Sequence, residues 1–207
     1  MPEVVYEDDW LIVLNKPAGL LTIPTPKKES RTLVSILNDG IKAQGAPYRL
    51  HLCHRLDRET SGLIIFAKGK SPQKKMMELF RQRRVKKTYI AFVQGMPKPE
   101  ASRIISRIEG LSAITEYRVI ERKSSFSVAE ARPLTGRTNQ IRIHFKSIGH
   151  PIVGEDKYAF RRDFPLKAKR LCLHAAGLEF EHPVTREKIR LVSHLPSYMK
   201  EFLAKHA

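Results

Sequence analysis

Cysteine is nearly absent from this chain: two residues of 207, Cys53 and Cys172, too few for a disulfide framework. The start carries no charged leader followed by an apolar run and a small-residue cleavage site, so a reducing, cytoplasmic setting is expected. Long apolar runs are missing too. The longest, Leu63–Ala67 and Ile90–Val93, are strand-sized, against the roughly 20 residues that a membrane-crossing helix needs, and no membrane partner is expected. Nor does the chain contain GxxxxGK[ST], GxGxxG or GxSxG. Nucleotide hydrolysis, dinucleotide redox chemistry and an elbow serine nucleophile therefore lack their sequences, and no nucleotide cofactor is expected.

Acidic residues are outnumbered: 21 Asp and Glu stand against 38 Lys and Arg, a formal net charge of +17. A polyanion is the expected partner, because each neutralised phosphate releases counterions without any readout of sequence. A basic surface serving solubility alone has the same composition. Metal chemistry is weakly supported. His51, Cys53, His54, Cys172 and His174 offer zinc donors by residue type, but cysteines paired at short spacing are missing; both thiols read as packed in apolar surroundings, with no metal site.

Apolar residues make up 42% of the chain and charged ones 29%, the composition of a folded protein with a sizeable core. Residues 1–207 are expected to form a single domain. Alternation and β-branched content predict two short strands around Asp8–Asp9, a buried strand over Gly62–Ala67, and strands over Lys87–Gln94, Thr115–Ile120, Ser125–Ala131, Leu171–Phe180 and Lys188–Val192. Helical spacing predicts helices over Arg31–Ile41, ending near Asp39–Gly40, and from a Ser71–Pro72 cap to about Arg84. Two more are predicted over Thr138–Ile148 and Pro196–Ala204. A basic, proline-containing loop is expected over Phe160–Lys169. Strands in hairpins among a few helices indicate an α+β fold with a mixed or mainly antiparallel sheet.

Two clusters carry chemistry. The first, His51–Gly62, precedes the buried strand and sets Asp57 between Arg55 and Arg58, cations that keep a carboxylate ionised as a nucleophile or charge stabiliser requires. The same residues equally suit a surface ion-pair loop. The second, Arg132–His144, enters a helix through a glycine turn with Arg132, Arg137 and Arg142 available to bind phosphate or orient a carboxylate; arginines at a solvated helix start would read alike. The helix after Ser71 adds Lys74, Lys75, Arg81, Arg83 and Arg84. Residues 74–84 and 161–170 are expected to contact phosphates.

Beyond these readings, the sequence resembles the RluA-type pseudouridine synthases along nearly its whole length. The matching segments are Asn15-Lys16-Pro17-Ala18-Gly19-Leu20, His54-Arg55-Leu56-Asp57 with Thr60-Ser61-Gly62, and Lys87-Thr88-Tyr89-Ile90-Ala91. They continue with Gly136-Arg137-Thr138 and Gln140-Ile141-Arg142-Ile143-His144, Pro151-Ile152-Val153-Gly154 with Tyr158, and Leu173-His174-Ala175 through Phe180, His182 and Pro183. The resemblance implies the pseudouridine synthase fold, a central sheet flanked by helices and loops with an active-site cleft across it. It implies Asp57 as the catalytic aspartate, Arg142 as its salt-bridge partner, Tyr89 beside the target base, and Arg55 in the space left by a flipped uridine. Arg58, Arg137, Lys16 and Lys87 are expected to bind RNA.

Asn139 stands where the family usually has His, and Thr22-Ile23 precede Pro24 where valine and histidine are common. Family-like sequence begins within the first ten residues, so recognition is expected to come from the catalytic domain without a separate N-terminal RNA-binding domain. The implied partner is structured RNA, ribosomal or transfer, and the protein is expected to act as a monomer. Because the implied reaction is an internal rearrangement, it needs no redox cofactor or energy donor. Intact Asp57, Tyr89 and Arg142 argue against the alternative of an RNA-binding protein of this fold that has lost catalysis, and a zinc deaminase would need a histidine, glutamate and paired-cysteine signature that is missing.

Overall fold

The computed structural model describes residues 2–26, 29–159 and 166–206. The chain separates into two compact units, Met1–Lys86 with Gly177–Ser193, and Lys87–Ala176 with His194–Ala207.

The first unit contains β1 (Glu3–Glu7), β2 (Leu11–Lys16), α1 (Leu33–Ala43), β3 (Leu50–Leu52), β4 (Ser61–Lys68) and α2 (Lys70–Arg81). β1, β2 and β4 lie side by side and antiparallel, and β3 pairs with the end of β4. The acidic turn forms as expected: Asp8 Oδ1 accepts the N–H groups of Trp10 and Leu11 at 2.8 and 2.7 Å, a local bond that closes the hairpin. β4 is buried along seven of its eight residues, which explains its unbroken apolar sequence.

Two helix ends differ from the sequence reading. Thr32 and Ser35 form a reciprocal capping box at the start of α1, but the helix runs through Gly40. It stops only where Gly45 takes φ +69° and its N–H and that of Ala46 bond back to Lys42 and Ile41. Gly45 is the residue that needs the left-handed conformation, and Gly40 is tolerated inside the helix. In α2 the residue before the helix is Gly69, with no side-chain cap, so Ser71 lies inside the first turn.

The second unit contains β5 (Lys86–Gln94), β6 (Ala101–Ile108), β7 (Leu111–Arg122), β8 (Phe126–Pro133), α3 (Gln140–Ser147) and α4 (Ser197–Lys205). β6, β7 and β8 form consecutive hairpins, with β5 antiparallel on the far side of β8. β6 was not anticipated. Arg103, Ser106 and Arg107 dilute its apolar content, and its turn, Glu109–Gly110 with φ of +50° and +76°, is a two-residue connection whose positive φ values match strand twist. Phe92, Phe126 and Phe202 pack at tilted and edge-on angles in the core, and Tyr117 packs tilted against Phe145.

β9 (Leu173–Glu181) passes from the second unit into the first, where β10 (Lys188–Val192) pairs with it. In the turn between them buried His182 accepts the N–H groups of Val184 and Thr185 at Nδ1 and turns Nε2 to within 3.0 Å of Asp8. The α+β class and largely antiparallel pairing agree with the sequence. Residues 160–165 of the expected basic loop lie outside the described residues.

Candidate active site

Asp57 sits in the loop between β3 and β4, half-buried, and the backbone on both sides of it is pinned. The Thr22 hydroxyl donates to Leu56 O at 2.7 Å. Arg58 O receives the N–H of Gly19 at 2.8 Å and the Lys16 ammonium at 3.1 Å, while Thr60 N closes a turn onto Asp57 O. The carboxylate is thus carried on a backbone held from the Asn15–Thr22 segment, far away in sequence. Positioning of this kind is what a reacting group requires.

Lys16 corrects the expectation of an RNA contact. It is 0% exposed, and its Nζ donates to Pro17 O, Leu20 O and Arg58 O at 3.0, 2.8 and 3.1 Å. All three donors are used inside the protein, so it braces the loop instead of meeting phosphate. Burial pushes the ammonium down to about 8, opposed by the charges of Glu59 and Asp57. Coulomb attraction is mutual, so Lys16 favours the ionised form of Asp57.

The other cations of this loop face outward. Arg55 is exposed, with no ion pair among the described residues. Arg58 bonds Gly19 O at 3.2 Å and lies 3.5 Å from Glu59 with its side chain 63% exposed. His54 accepts the N–H of Ile65 at Nε2 and packs at a tilt against Phe80. Both cysteines are buried free thiols, and burial pushes them up to about 12.

In the second unit, Tyr89 lies on β5 opposite Ala131 of β8, and Lys87, two residues earlier, projects from the same face of the strand. Lys87 is half-buried, and burial holds its ammonium below the usual lysine range. Its Nζ lies close to Gly136, 3.9 Å from where a side chain there would begin. The Gly136–Arg137 turn is fixed by Gln140, whose Oε1 receives the Thr135 hydroxyl and Arg137 N and whose Nε2 donates to Ile114 O and Thr115 Oγ1. His144, a turn further on, meets the same Thr115 hydroxyl at 2.8 Å. The buried residues of α3 thus tie the helix to β7. Arg137 itself donates to Ser112 O at 3.1 Å.

Arg142 has a partner that the sequence reading missed. Its Nε and Nη2 each approach one oxygen of Glu155 at 2.7 Å, with the two side chains 6% and 1% exposed. This two-pronged arrangement matches planar guanidinium to planar carboxylate. Burial alone would raise the Glu155 carboxyl, but Arg142 and the N–H groups of Lys157 and Tyr158 hold it below the usual range. The third arm, Nη1, donates to Asn139 Oδ1 at 2.9 Å. Asn139 precedes α3 at φ +55°, a conformation that asparagine tolerates better than most residues. No sequence period or motif links Arg142 to Glu155, thirteen residues apart; Gly154, just before Glu155, takes φ +82° and packs against Arg170 O, where a side chain would clash.

Comparison with known proteins identifies this architecture. The model of the RNA pseudouridylate synthase family matches residues 10–147, and the chain belongs to that family, in its RluA-type branch. It is an isomerase that converts uridine in RNA to pseudouridine. Ribosomal large subunit pseudouridine synthase C of Vibrio cholerae is 34% identical over 98% of this chain and 68% of its own length. The dual-specificity RNA pseudouridine synthase RluA of the same organism is 36% identical over 87% of this chain and 78% of its own. The solved structure of human RNA pseudouridylate synthase domain containing 4 superposes with a TM-score of 0.82 at 27% identity, covering 98% of this chain and 92% of that one.

Proposed function

We propose that the chain isomerises specific uridines in structured RNA, ribosomal or transfer, with Asp57 as the catalytic carboxylate, and that both compact units serve one catalytic domain. The observation that carries the residue assignment is the Asp57 loop: flanking carbonyls held by Thr22, Gly19 and Lys16, with a buried ammonium nearby. The names of the relatives, a large-subunit synthase and a dual-specificity enzyme, support the two RNA classes. We place the enzyme in the cytoplasm as a monomer; among the described residues no helix is long and apolar enough to cross a membrane.

The reaction breaks the bond between ribose C1′ and uracil N1 and forms one from C1′ to C5, while the proton on C5 leaves and N1 gains one. Nothing is oxidised or added. Asp57 attacks C1′ or removes the adjacent ribose proton; both routes require it ionised, the state that the Lys16 charge favours. Tyr89 is assigned to lie flat against uracil and to move the C5 proton, and Arg142 to keep Asp57 oriented. Extruding the base from a stack costs a few kcal/mol. Exposed Arg55 is suited to fill the vacancy, and Arg58, Lys87 and Arg137 to bind the backbone.

The test uses ribosomal and transfer RNA transcripts labelled with tritium at uridine C5. Asp57→Asn keeps shape and loses the charge, so tritium release should fall to background while the fold and RNA affinity persist. Activity within tenfold of wild type would remove Asp57 from the mechanism.

A further inference from the structure

Between Lys70 and Lys86 the chain carries seven lysines and arginines and one carboxylate, Glu78. That carboxylate is already taken: Arg81 reaches its two oxygens at 2.7 and 2.6 Å. Arg84 lies 3.3 Å from Glu181. Lys70 and Lys74, both exposed, have no ion pair among the described residues. Four apart on α2, they sit one turn above the other.

This flank of α2 is fixed beside the segment leading to Asp57. Gln73 Nε2 donates to Leu52 O at 2.8 Å, and Phe80, two turns along the same stripe, packs at a tilt against His54 with ring centroids 4.7 Å apart. Met77, 50% exposed, is one turn from Gln73 on that stripe. Across from the helix start, Gly69 N bonds Arg49 O at 3.1 Å, bringing exposed Arg49 beside Lys70. His51 lies between them on β3; partial burial and then the cations of Lys70 and Arg49 push its imidazole below its ordinary range.

Folding gains nothing from this arrangement. Lys70 in the first turn opposes the helix dipole, and like charges around His51 repel one another. Resting on the function proposed above, we infer that Arg49, His51, Lys70 and Lys74, with Met77 among them, form a docking strip for the phosphate backbone of the substrate RNA alongside the Asp57 loop. A polyphosphodiester strand neutralises Arg49, Lys70 and Lys74 at once and turns their mutual repulsion into affinity, with neutral His51 and Met77 lying along it. Single phosphates would gain little from so extended a set.

The full-length protein tests this with Lys70→Glu plus Lys74→Glu, compared with Lys200→Glu plus Lys205→Glu on α4, which alters net charge equally. Tritium release from a large-subunit ribosomal RNA transcript gives KM and kcat, and filter retention gives RNA affinity. The α2 pair should raise KM at least tenfold near physiological salt and hold kcat within twofold. It should also lower the slope of log KM against log salt by about two, one for each lost phosphate contact. The α4 pair should move KM less than threefold. Lys70→Gln plus Lys74→Gln, which removes charge without reversing it, should act in the same direction with a melting temperature no lower than that of wild type. Equal shifts from the α2 and α4 pairs, or an unmoved KM, overturn the strip. If wild type forms no pseudouridine in any transcript, the proposed function fails, and filter retention still decides the strip.

Discussion

Replacing Arg142 by alanine strips a buried carboxylate of its main counter-charge. The Glu155 side chain is 1% exposed, and both its oxygens meet Arg142 at 2.7 Å, so among the described residues truncation leaves the N–H groups of Lys157 and Tyr158, at 2.8 and 3.1 Å, to solvate it. Breaking one side of a buried pair typically costs about 3–5 kcal/mol. For a chain of this size that corresponds to a melting temperature lower by roughly 6–20 °C. The loss should depend on pH. In wild type the depressed Glu155 carboxyl contributes stability above the ordinary glutamate value, and that contribution disappears as pH falls through its lower folded value. In Arg142→Ala the carboxyl is raised instead, so the gap between the two proteins should begin to narrow above about pH 4.3 and keep closing below it as wild type loses its own contribution. Denaturant unfolding at pH 7 and pH 4 measures this, with Arg142→Ala/Glu155→Gln as the rescue that removes the stranded charge. A deficit under about 1 kcal/mol, or one independent of pH and not relieved by the second substitution, would refute the reasoning. Arg142→Lys should retain part of the stability and less of the turnover, since lysine keeps charge but loses the fork.

Because burial lowers Lys16 to about 8, the unfolded chain binds more protons than the folded one from about pH 8 to 10.4, and wild type should gain stability there relative to Lys16→Met; parallel stability curves would rule this out. Asn139→Ala should be less stable than Asn139→Gly by about 1 kcal/mol, because both lose the bond to Arg142 and only alanine is strained at φ +55°; thermal unfolding that ranks alanine above glycine contradicts it. Turnover should survive a strong chelator and be indifferent to added nucleotides, as an internal rearrangement requires; restoration of lost activity by one metal would overturn that expectation.

The sequence by itself determined the family, the α+β class and most of the elements, because each rests on local chemistry. Asp8 closes its own turn, Thr32 and Ser35 cap their own helix, and β4 is apolar at successive positions. Family resemblance singled out Asp57, Tyr89 and Arg142, but only tertiary structure decided what surrounds them. Lys16 reads as any cation in a basic chain, yet the Asn15–Thr22 loop folds over it and turns it into an internal brace 0% exposed. Arg142 and Glu155 are thirteen residues apart, a pairing that no helical or strand period records. Gly40 loses to Gly45 as the helix stop because which glycine adopts positive φ is settled by the next chain segment. Local signals are written residue by residue, whereas burial and charge pairing belong to groups that meet only after the chain has folded.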